Sequence, residues 1–147
     1  MLAALIMMTI GAAPVVPVGN DFQCTPVAVW DGDGPIWCEE GPRIRLSGIA
    51  AREIDDECRP GHPCPTVSGL EARDALVALL GGPRGRLPHG HVVVRAPTMS
   101  CRSTGSAGGN RTGAWCISSD GLDLSCAMVE RGAALRWARY WGKHRCR

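Results

Sequence analysis

At 147 residues, 45% hydrophobic and 20% charged, the chain is sized for one domain and is neither a disordered nor a low-complexity sequence. A formal net charge of +2 excludes a polycation that coats nucleic acid by charge alone. The charge is uneven. Arg131, Arg136, Arg139, Lys143, Arg145 and Arg147 follow the last acidic side chain, Glu130, and form either a polyanion-facing end or a solvated helix face.

The chain opens on an uncharged apolar run, Met1 to Ala13, followed by Pro14 and Pro17. A spanning helix needs about 20 apolar residues, so the run reads as the core of a signal peptide, although no Lys or Arg precedes it. Residues 1–23 are therefore expected to be a leader and 24–147 the domain. A retained membrane anchor is the competing reading. With the leader cleaved, the expectation is a secreted or periplasmic monomer with no stable membrane association.

Residues 26–31 alternate like a strand, and Asp31-Gly32-Asp33-Gly34 is a turn leading into a return strand at 36–38. A third strand is expected over 43–49. The charged, then Pro-, Gly- and Cys-rich stretch 52–67 reads as a loop. A helix starts near Ser68, with Glu71 completing a capping box. Its apolar face is expected at Leu70, Ala72, Ala75, Leu76, Leu79 and Leu80, and Gly81-Gly82-Pro83 ends it. Strands at 91–95 and 111–117 flank a Gly- and Ser-rich stretch, 103–110, expected to be a mobile loop. Helices are expected over 122–131 and 133–144. Periodicity supports a small α+β domain. Five short strands around a meander, with a helix between the third and fourth, suggest an OB-fold-like, five-stranded β-barrel with about three α-helices.

Eight cysteines in a small chain with a signal-like start point to disulfides. Spacing suggests Cys24–Cys38 across the Asp-Gly turn, Cys58–Cys64 closing a small loop and Cys101–Cys116 across two strands. Cys126 and Cys146 are left to join the last helices. Zinc held by Cys58, His62 and Cys64 is the rival reading, weakened by the lack of any CxxC pair.

The stretch Val29-Trp30-Asp31-Gly32-Asp33, then Arg43-Ile44-Arg45-Leu46-Ser47-Gly48-Ile49, then Glu53, resembles the signature of the staphylococcal nuclease (thermonuclease) family. Gly69-Leu70-Glu71-Ala72, Asn110-Arg111 and Asp123-Leu124 through Met128-Val129 to Gly132 are similar to later family segments, in order over about residues 26–141. The resemblance implies hydrolysis of phosphodiester bonds in DNA or RNA. It makes Arg45 and Arg111 the guanidiniums that clamp the phosphate, and Glu53 the base that activates water.

The resemblance also implies a divalent cation, Ca²⁺, between two carboxylates. Asp33 matches one, but the other falls at Ala50, which has no side-chain oxygen, so the site is expected to be weak or lost. Asp31, Asp55, Asp56 or Glu57 could compensate, and Arg52 could place a cation beside the site. Gly34 stands where the family has Thr.

Plainer roles exist for each residue. Arg45 could pair with Glu53 as a simple salt bridge, Arg111 could be a solvated loop residue, and the two aspartates could serve the turn alone. Trp137, Tyr140 and Trp141 suit core packing better than base stacking. Three functions remain open: an active nuclease, a catalytically degenerate domain that binds nucleic acid without cleavage, and an envelope protein that contacts protein partners.

Overall fold

The computed structural model describes residues 13–146, so most of the segment expected to be a leader lies outside the described residues. Among the described residues thirteen elements follow one another. They are β1 (Asp21–Cys24), β2 (Pro26–Asp31), β3 (Gly34–Cys38), β4 (Arg43–Leu46), β5 (Ile49–Ala50), α1 (Gly69–Leu79), β6 (Gly85–Arg86), β7 (Val92–Val93), β8 (Met99–Ser106), β9 (Arg111–Ile117), α2 (Leu124–Glu130), β10 (Leu135–Arg136) and α3 (Ala138–Trp141). The fold is α+β, with an eight-stranded sheet ordered β1-β8-β9-β4-β3-β2-β7-β6 and a separate β10-β5 pair. All pairings are antiparallel except β4 with β9.

The described residues hold ten strands where five were expected. Most additions are too short to show a period. The exception is β8, which covers much of the expected mobile loop. Its residues Met99, Cys101 and Ser103 are buried and alternate with exposed Ser100, Arg102 and Thr104. The alternation was hidden because one inward residue is a serine. Ser103 is buried by satisfying its hydroxyl, which donates to the Val16 carbonyl oxygen at 2.7 Å. Val16 N–H donates in turn to Thr112 Oγ1, so the chain ahead of Cys24 is tied into the sheet.

The capping box forms as expected, with Ser68 accepting from Glu71 N–H and Glu71 reaching back to the cap. The buried face of α1 is rotated from the expected one. Ala72, Leu76, Val77 and Leu80 are buried, whereas Leu70 is 48% exposed. The expected third strand breaks after Leu46, and its remainder becomes β5. The expected helix over 133–144 is cut to four residues, because Leu135 and Arg136 pair with β5 instead.

All four disulfides pair as the spacing suggested: Cys24–Cys38, Cys58–Cys64, Cys101–Cys116 and Cys126–Cys146. That set fits an oxidising compartment. With Cys58 and Cys64 joined to each other, no thiolate is left there for zinc. No described helix is long and apolar enough to cross a membrane.

Candidate active site

The parallel pairing of β4 and β9 sets Arg43 beside Arg111 and Arg45 beside Gly113. Arg45 and Arg111, distant in sequence, thereby reach one cavity of about 400 Å³. Its wall also holds Arg59 and His62, the hydroxyl residues Ser47, Thr104 and Ser106, and the aromatic residues Trp137 and Tyr140. None of the lining residues is acidic. Such a surface suits an anion with a flat apolar portion attached.

Arg45 is the most constrained cation. One terminal nitrogen donates to Asp33 Oδ2 at 3.3 Å and to the Ile49 carbonyl at 3.1 Å, and the other donates to the Leu46 carbonyl at 3.0 Å. The partner is therefore Asp33, not Glu53. Arg111 is held differently: its guanidinium donates to the Ala107 and Gly108 carbonyls at 2.7 and 3.3 Å. It has no carboxylate partner among the described residues. Carbonyl contacts orient it without neutralising it.

Glu53 does not line the cavity itself. Its Oε1 lies 3.3 Å from Nε of Arg59, which does. The loop around Glu53 is built tightly. Its N–H donates to the Glu57 carbonyl, its own carbonyl accepts from Asp56 N–H, and Asp56 Oδ1 accepts from Gly69 N–H. Gly69 is required by this close approach, because a Cβ there would overlap the Glu53 carbonyl oxygen. The start of α1 thus clamps the segment that carries Glu53.

The turn below packs against the same helix. Asp31 and Asp33 are both buried. Burial, then the Asp33 charge, pushes the pKa of Asp31 well above the ordinary carboxylate range. Gly34 has φ of +115°, and a Cβ there would meet the Ile44 carbonyl, so a threonine could not take its place in this conformation.

These residues do not fit a calcium ion. Asp33 Oδ2 already accepts from Arg45 and from Ala51 N–H, at 3.3 and 3.0 Å. Ala50 is fully buried and offers no side-chain oxygen, and Gly34 offers no hydroxyl. Ca²⁺ takes about 6–8 oxygen ligands, several of them charged. Among the described residues the close three-ligand grouping is Asp123, Cys126 and His144, not a set around Asp33. There Cys126 is disulfide-bonded and Asp123 accepts from the His144 ring at 2.7 Å, so the group is a clasp on the C-terminal segment. Asp55, Asp56 and Glu57 are exposed, and Asp56 is spent on Gly69.

Arg52 does not stand in for a metal. Its guanidinium donates to the Pro65 and Asp56 carbonyls at 2.6 and 2.7 Å, bracing the two ends of the loop 57–64. Arg59 and His62 on that loop were missed as site residues. Only the Cys58–Cys64 spacing hinted that the loop was rigid, and nothing local said which way it faced. The His62 ring meets Trp137, with centroids 4.3 Å apart. The C-terminal aromatics divide: Trp141 is buried, while Trp137 and Tyr140 border the cavity.

No family model matches the chain, and no curated protein or solved structure matches it either. The nuclease resemblance rests on its motif residues.

Proposed function

We propose that this is an exported domain of staphylococcal-nuclease type, built on an OB-like barrel, that hydrolyses phosphodiester bonds of DNA or RNA. The observation that carries the reading is the sharing of one carboxylate-free cavity by Arg45 and Arg111. In-line attack at phosphorus places charge on the non-bridging oxygens, and two guanidiniums can hold that charge with directed N–H groups. Glu53 takes a proton from water as the new P–O bond forms. The opposite P–O bond breaks, and the leaving oxygen takes a proton from solvent. Tyr140, 52% exposed beside the cavity, offers a face to a base.

Hydrolysis of denatured DNA by the purified, oxidised chain tests the reading. Glu53→Gln should reduce cleavage by about 10²-fold or more, with folding unchanged. Wild-type cleavage that survives Glu53→Gln at full rate would remove Glu53 from the chemistry.

A second reading has its own support. Glu53 lies against Arg59 and is not itself among the residues lining the cavity. A domain that binds single strands in a salt-dependent way and cuts none of them would match this degenerate form.

A further inference from the structure

Two features of the site point the same way. The carboxylates that would hold a cation are already engaged: Asp33 Oδ2 accepts from Arg45 and from Ala51 N–H, and Arg59 lies against Glu53. The cavity alongside is cationic and lacks carboxylates. We propose that this cavity binds a nucleic-acid phosphate without any divalent cation, with Arg59 on the disulfide-closed loop supplying the positive charge at Glu53. The inference rests on the reading above that the cavity takes nucleic acid.

Arg59 is well placed for the task. The Cys58–Cys64 bond closes its loop, and the loop turns on itself where His62 N–H donates to the Arg59 carbonyl at 3.0 Å. Arg52 ties the flanking carbonyls, and His62 rests on Trp137 across the cavity. A loop held at both ends and at its tip loses little freedom when a ligand arrives. The nearest approach of Glu53 to Arg59 is at Nε, 3.3 Å away, and among the described residues the Arg59 terminal nitrogens make no hydrogen bond. A guanidinium can serve a carboxylate through one edge and a phosphate through another, which a lysine cannot do.

Charge balance agrees. Arg45 and Arg59 each have a carboxylate, and Arg111 has none among the described residues. The site therefore holds one uncompensated cation, matching the single negative charge of a phosphodiester. A further divalent cation is not needed to balance the complex.

The test is binding of a fluorescently labelled phosphorothioate oligothymidylate to the oxidised chain at constant ionic strength, with chelator or with excess Ca²⁺. Wild type, Arg59→Ala, Arg59→Lys and the distant surface variant Arg102→Ala are compared. The expected result is equal wild-type affinity in both buffers, a loss of about tenfold or more in Arg59→Ala, only partial rescue in Arg59→Lys, and no change in Arg102→Ala. Wild-type binding that needs Ca²⁺ overturns the inference and leaves the nuclease reading standing. Chelator-resistant binding that Arg59→Ala leaves intact removes Arg59 from the site. An absence of binding in both buffers ends the inference together with the nuclease reading.

Discussion

Two ion pairs each lend an arginine to the same cavity at the same nominal separation, 3.3 Å, and they are not equivalent. In Arg45–Asp33 the side chains are 17% and 12% exposed, and the arginine also holds two backbone carbonyls. In Arg59–Glu53 they are 63% and 27% exposed, and the arginine makes that contact alone among the described residues. The first is part of the wall, because losing either partner strands a charge among backbone dipoles. The second is screened by water and adds little to folding, so its arginine is free to meet a ligand. Contact distance alone does not separate a structural pair from an adaptable one, whereas burial does.

The largest expected effect falls on the first pair. Arg45→Lys should lower cleavage by about 10²–10³-fold, since one ammonium cannot reach Asp33, two carbonyls and a phosphate together. Steady-state rates on denatured DNA check it, and a loss of less than threefold would equate the two arginines. Next comes Gly69→Ala, where the added methyl meets the Glu53 carbonyl. It should cost about 1–3 kcal/mol in denaturant unfolding and impair cleavage through displaced Glu53. Arg59→Ala should change unfolding stability by less than about 0.5 kcal/mol, even though it weakens ligand binding. A stability loss as large as that of Gly69→Ala would place Arg59 in the wall as well.

The smallest effect provides a background for both pairs. His91 packs against Trp30 and Trp37, and burial, then the Arg43 charge, lowers its pKa below the ordinary 6.5. The unfolded chain takes up this proton more readily than the folded one. The contribution is therefore complete above about pH 6.5, and it is lost as pH falls through the lowered folded value. Thermal midpoints measured from pH 8 down to 5 should show a decline that His91→Leu flattens. An unchanged slope in that variant would assign the decline to other groups.

Much of the architecture was legible because it depends on neighbours in the chain. The Ser68–Glu71 capping box, the Asp31–Gly34 turn and the strands at 26–31 and 111–117 are local preferences that the tertiary structure kept. The cysteine pairs followed from turns that already brought their flanks together. β8 was missed because Ser103 and Gly105 carry no apolar signal. Its pairing with β1 and β9 is what makes it a strand.

The residues with chemical potential were visible one at a time in the sequence: Arg45, Glu53, Arg111 and Asp33. Their grouping was decided in three dimensions. Parallel pairing of β4 and β9 brings the two arginines together, the α1 start packs on the Glu53 backbone, and a braced loop turns Arg59 and His62 toward the cavity. Caps, turns and periods reflect free energies spent within a few residues. A cavity wall depends on contacts between distant segments, which no local pattern encodes.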